Sequence, residues 1–204
     1  MKFYHYSAQS RLSDIVTGNR GLVPRRRFIP LGPGSNGLPD KAIEPALFGL
    51  LEPMDKKWCS AIYIPGEPLI ETVLGGVSDD KLSLLEITLA VSDDVYVADH
   101  APHLRKEYNG HKGENVKVTK RVKKDYWNSL VPLAKYLKQN LAYQVPEVIC
   151  FSAIPLKRLR IIETFEKEKL INNFRIEGGF LPHPTRSEPD EAQREKLFNQ
   201  TFGF

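Results

Sequence analysis

The chain has 204 residues, 41% of them hydrophobic and 26% charged, the size and make-up of one globular domain with or without an extension. No stretch approaches the roughly 18 consecutive apolar residues of a membrane span, and Met1-Lys2 runs straight into a strand pattern instead of a secretory signal, so the expected location is cytoplasmic, or exported by a route without a Sec-type signal peptide. Cys59 and Cys150 stand singly in apolar surroundings, which argues against a disulfide framework, and a net charge of +4 permits a nucleic-acid or acidic partner without requiring one.

Lys2 to Ser7 is rich in aromatics and reads as a strand, with Phe3, His5 and Ser7 on one face and Tyr4 and Tyr6 on the other. Leu12, Ile15 and Val16 follow at helical spacing, with Ser7 or Ser10 expected to cap this helix and Gly18 to end it. Gly21 to Pro24 is predicted as a second short strand. Arg25-Arg26-Arg27 and the Gly/Pro run from Pro30 to Pro39 read as an irregular surface loop, since no Gly-Lys-Ser/Thr follows to make a phosphate loop.

Ala42–Leu51 is predicted helical and Trp58–Pro65 as a strand with Tyr63 at its middle. Gly66–Val77 reads as a turn and short helix, Leu82–Val91 and Val95–Ala98 as strands, and Asp99–Tyr108 as a helix with Pro102 in its first turn. Asn109–Lys124 is basic and poor in apolar residues, which predicts a loop. A helix with Leu130, Leu133, Leu137 and Leu141 on one face should follow, with Ser129 as its cap. Pro146–Ile154 is a strongly apolar strand, Pro155–Leu159 a helical turn, and Arg160–Glu163 a last strand. The predicted organisation is a domain over 1–165 and a C-terminal extension over 166–204 with a helix near Glu188–Phe198. The fold class is α+β, with six or seven short strands.

Four constellations compete for the chemistry. Asp99, His100, His103 and His111 form a possible metal set, although Pro102 interrupts it and no cysteine or glutamate completes a known pattern. Cys59 or Cys150 would need a histidine within reach to act as a nucleophile. Lys112, Lys117, Lys120, Arg121, Lys123 and Lys124, beside Tyr126 and Trp127, have the mixture of cations and rings that grips nucleic acid, and equally that of a solvated basic stretch. The last pairs His5 with Glu147, a carboxylate opening a core strand, where it must be solvated in a cleft or paired. A histidine, a tyrosine and a glutamate facing one cleft suit a reaction that builds positive charge on a sugar ring.

In order along the chain, Phe3-Tyr4-His5-Tyr6-Ser7, Tyr63 within Ala61-Ile62-Tyr63-Ile64, and Pro146-Glu147-Val148 before Ile154-Pro155-Leu156 resemble the His–Tyr–Glu branch of the ADP-ribosyltransferase-like fold. DNA-modifying toxins of that superfamily end in a similar glutamate strand followed by Ile-Pro. The resemblance covers about residues 2–162. It implies two packed, mostly antiparallel sheets with flanking helices, and a toxin- or effector-type glycosyltransferase that uses NAD as co-substrate. His5 would bond a ribose hydroxyl and Tyr63, or Tyr6, would stack on nicotinamide. Ser7 would belong to the same cofactor-binding strand, and Glu147 would be the catalytic carboxylate. ADP-ribose would pass to a protein or nucleic-acid acceptor. No Arg-Ser-Glu or Glu-x-Glu motif is present, which separates the chain from the arginine-specific branch, and the loop from Pro30 to Pro39 is longer than the pattern needs. The alternative is a non-enzymatic binding module that uses its basic face for nucleic acid or an acidic partner.

Overall fold

Where two strands approach closely, one of them has to give up its side chain, and that happens at Gly49. The computed structural model describes residues 1–24, 40–64, 67–75, 77–104 and 116–180. The chain opens with strand β1 (Lys2–Ala8) and helix α1 (Gln9–Thr17), and after a 3-10 turn (Asp40–Ile43) it forms strand β2 (Leu47–Gly49). A Cβ on Gly49 would stand 2.3 Å from the Tyr4 carbonyl oxygen and 2.7 Å from the Phe3 ring, so only glycine lets β2 lie against β1. Reciprocal hydrogen bonds seal that approach, Tyr4 N–H to Leu50 O at 2.9 Å and Leu50 N–H to Tyr4 O at 2.8 Å.

Helix α2 (Lys56–Ser60), strands β3 (Ile62–Ile64) and β4 (Glu67–Pro68), helix α3 (Leu69–Gly75), and strands β5 (Lys81–Thr88) and β6 (Val95–Asp99) come next. Helix α4 (Val116–Asn128), strand β7 (Val131–Pro132), helix α5 (Leu133–Gln139), strands β8 (Pro146–Cys150) and β9 (Leu159–Glu166), and helix α6 (Lys167–Glu177) complete the described chain. The fold is α+β. It has two antiparallel sheets, ordered β1-β5-β9 and β2-β8-β6-β7, and a small β3–β4 ribbon.

Both sheets contribute to one core, with Phe3, Leu85 and Ile87 from the first and Leu47, Val97, Val148 and Cys150 from the second. Strands β5 and β8 are buried along almost their whole length, so they read as apolar runs and not as alternations. A second cluster gathers Trp58 of α2, Leu69 and Leu74 of α3, and Leu170 and Phe174 of α6 around Leu82. Ala46, Ala98 and Ile149 form a third with Tyr126 and Trp127 of α4.

Several sequence expectations give way to local physics. Gly21–Pro24 makes only a single bridge, Leu22 to Ile154, and Gly21 is required there because its φ is 65° and a Cβ would collide with the Ile154 carbonyl. Ser7 does not cap α1. The Ser10 N–H is taken instead by the Asp79 carboxylate, 2.8 Å away on a distant loop, while Gly18 ends the helix as expected. The helix predicted over Ala42–Leu51 is replaced by the 3-10 turn and β2, because Pro45 cannot supply a helical N–H. Asp55 accepts from the N–H groups of Lys57 and Trp58, and this cap starts α2 where a strand was expected.

Asp99–Tyr108 shortens, among its described residues, to a 3-10 turn (Ala101–Leu104), and the expected loop is helical from Val116 onward. The helix expected around Leu130 begins only at Leu133, and the Ser129 hydroxyl receives the Asp99 N–H instead of capping it. Helix α6, which falls within the expected C-terminal extension, buries Leu170 and Phe174 in the second cluster. The expected loop of Arg25–Arg27 and Pro30–Pro39, residue His111, Lys112 and the helix near Glu188–Phe198 lie outside the described residues. Among the described residues no helix is long and apolar enough to cross a membrane.

Candidate functional site

His5 sits at the seam between the sheets. Its Nδ1 is 2.7 Å from the Phe48 carbonyl oxygen. A carbonyl only accepts, so Nδ1 carries the hydrogen and Nε2 is left as an acceptor. Burial disfavours the charged imidazole and pulls its pKa below the ordinary 6.5, outweighing the Phe48 hydrogen bond, while the Arg11 guanidinium lowers it further. The result is a neutral, fixed imidazole that presents an acceptor nitrogen.

His5 lines a cleft of about 1160 Å³ bounded by β1, α1, the Gly21–Val23 segment and Ala46–Phe48. Small-molecule sites usually enclose roughly 300–1,000 Å³, so an extended ligand has room here. The lining mixes apolar Ile15, Leu22 and Leu47 with Ser7, Arg11 and Arg20. Ser7 is buried, and its hydroxyl leans 3.4 Å from the Ala8 carbonyl. Tyr6 also borders the cleft, but its hydroxyl donates to the Pro53 carbonyl at 2.8 Å and its ring packs edge-on against Phe174 at 5.7 Å. Burial raises the Tyr6 phenol pKa, so this side chain acts as a neutral strut between β1 and α6. Tyr63, on β3, packs into the second cluster with Trp58 and Leu104 and does not line the cleft.

Glu147 lies on β8, two strands from β1 with only β2 between them. Alternation puts Glu147 on the same sheet face as Ile149, and Ile149 pairs with Phe48 across the ladder. Phe48 is therefore the hinge of the site: its carbonyl fixes His5, and its side chain packs on the face that carries Glu147. Glu147 itself is not among the residues lining the cleft.

Glu147 is 5% exposed, and the burial of its carboxylate is compensated. The Tyr126 hydroxyl of α4 donates to Oε2 at 2.5 Å, and His100 brings Nδ1 to 3.4 Å of the same oxygen. The two side chains that meet this carboxylate belong to an aromatic cluster. The His100 ring lies 5.2 Å from Trp58, 4.8 Å from His103 and 5.9 Å from Tyr126. The Trp58 indole N–H donates to the Pro146 carbonyl at 2.6 Å, fixing the start of β8. The His100 N–H bonds the Val145 carbonyl at 2.8 Å, which ties the end of β6 to the same point.

The rival chemistries find less support. The Asp99 carboxylate receives backbone N–H groups of Ala101, Gln144 and Val145, so it organises a turn. Among the described residues no three or more His, Cys, Asp or Glu side chains are grouped to hold a metal ion. Burial pushes the thiol pKa of Cys59 up to about 12 and that of Cys150 up to about 11, so both are inert thiols at neutral pH. Sequence reasoning missed Tyr126, His100 and Phe48 as neighbours of the site. The only sequence signal for the first was an aromatic pair ending a basic run. No family model matches this chain, and no curated protein or solved structure matches it either.

Proposed function

We propose that this chain is an ADP-ribosyltransferase-like enzyme of the His–Tyr–Glu type, using NAD as co-substrate and passing ADP-ribose to a protein or nucleic-acid acceptor. The observation that carries the reading is that β2, bridged to β1 and paired with β8, lets Phe48 hold neutral His5 on one side and share a sheet face with buried Glu147 on the other. Neutral His5 accepts a hydrogen bond from a ribose hydroxyl at Nε2. The C1′–N bond breaks, nicotinamide leaves with the bonding electron pair, and the ribose C1′ gathers positive charge. A fixed carboxylate stabilises such a cation and takes the proton of the incoming acceptor. The acceptor heteroatom then closes the new bond to C1′.

Purified protein should release nicotinamide from NAD, and Glu147→Gln, which keeps the shape but removes the charge, should lower the rate by about 10²-fold or more. Absence of turnover together with no NAD-dependent shift in thermal stability would refute the enzyme. Unchanged turnover in Glu147→Gln would refute the glutamate's role alone. A second reading, a non-enzymatic module that binds nucleic acid or an acidic partner, is favoured by α4, which exposes Lys120, Arg121 and Lys124 to solvent. Salt-sensitive binding of an oligonucleotide, weakened by Lys120→Gln/Lys124→Gln in a protein with no NAD turnover, would select it.

A further inference from the structure

The carboxylate of Glu147 has to stay ionised and correctly aimed in a nearly dry site, and something must enforce both. Among the described residues, two side chains from separate elements meet its Oε2. Tyr126 comes from α4 and is 1% exposed, and His100 comes from the end of β6. Neither is held by its contact with Glu147 alone. The Tyr126 ring packs edge-on against His103 at 5.0 Å and Trp127 at 5.1 Å, and the His100 ring packs at a tilt against both Trp58 and His103. The donors are therefore set in place by packing, and the carboxylate conforms to them. Preorganised donors of this kind fix a rotamer and favour the charged form of the group they touch.

We infer that Tyr126 and His100 are positioning residues that aim the Glu147 carboxylate and hold it ionised, so that α4 and the 3-10 turn after β6 form part of the catalytic apparatus. This rests on the reading of Glu147 as the catalytic group. Among the described residues, the titratable groups around it are Tyr126 from α4, His100 from the end of β6 and His103 from the turn. Asp99 stands beside them, with its carboxylate already committed to backbone N–H groups.

The test uses the full chain with Tyr126→Phe, which removes one hydroxyl and keeps the ring, and with His100→Gln as the second variant. The Glu147 carboxyl is titrated by ¹³C NMR of selectively labelled protein, using Glu147→Gln to assign its signal. Loss of the hydroxyl should move the carboxyl titration upward by about one to two pH units. With NAD as substrate, kcat should fall at least about 10-fold, KM should change less than about 3-fold, and the acid limb of the pH–rate profile should move the same way. A purely structural contact would lower thermal stability and leave the titration and the acid limb in place, and that result overturns the inference. A shifted titration in a protein that never turns over NAD would sustain the positioning and sink the enzyme. Normal NAD turnover with an unmoved titration in both variants would do the reverse.

Discussion

Gly49→Ala is the sharpest perturbation available, because it strikes the contact that joins the sheets and the site together. The added methyl carbon would lie 2.3 Å from the Tyr4 carbonyl oxygen and 2.7 Å from the Phe3 ring. Both distances are about 1 Å or more inside ordinary contact. The obstacles are backbone and a fully buried ring, so the strands themselves must part. Overpacking of this kind costs about 1–3 kcal/mol. Parting also weakens the two Tyr4–Leu50 bonds and the His5–Phe48 bond, each contributing about 0.5–1.5 kcal/mol. A total near 3 kcal/mol, with a urea slope of about 2 kcal/mol/M, lowers the unfolding midpoint by about 1.5 M. In the same variant the His5 ring, followed by NMR, should titrate closer to the ordinary 6.5, since opening the seam relieves its burial. An unchanged midpoint together with an unchanged His5 titration would refute the reasoning.

Further outcomes follow from the same geometry. Phe174→Ala empties a fully buried site in α6 beside Trp58 and Leu82 and should destabilise the whole domain by about 3–5 kcal/mol in a single urea transition; an unchanged midpoint would mean that α6 is a dispensable appendage. The pH dependence of stability has a definite sign at His5. Its folded pKa lies below 6.5, so between the folded and unfolded values the unfolded chain binds more protons, and stability is lost as pH falls from 6.5. The wild type should lose up to about 1.4 kcal/mol per pH unit there relative to His5→Gln, measured by urea unfolding from pH 7 to pH 5. Equal slopes in the two proteins would show that His5 does not titrate with folding.

Much of the frame was legible in the sequence, and what escaped did so for specific reasons. Leu82–Val91 and Pro146–Ile154 announce themselves as strands because long β-branched and aliphatic runs have few other uses. Leu47-Phe48-Gly49 is too short to show any period, so the strand that joins His5 to Glu147 was invisible. Asp55 before Lys56 was a readable helix start, but the five residues that follow include Trp58 and Cys59 and resemble a strand. Helix α6 hid its buried Leu170 and Phe174 among lysines, glutamates and asparagines, since an (i, i+4) pair is enough to anchor a helix that the rest of the domain covers.

The residue types of the candidate site were legible in the sequence alone: a histidine in an opening aromatic strand, and a glutamate at the head of a core strand that burial would forbid without a partner. Which partner answers that demand was decided in three dimensions. Tyr126 lies 21 residues from Glu147 along the chain, His100 lies 47, and Phe48 lies 43 from His5. No local rule links such positions. Backbone hydrogen bonding paired β2 with β8 and bridged Tyr4 of β1 to Leu50, and packing of α4 over Ile149 delivered the phenol, because contacts at that separation form only when loop closure is offset by the core that the two sheets build together.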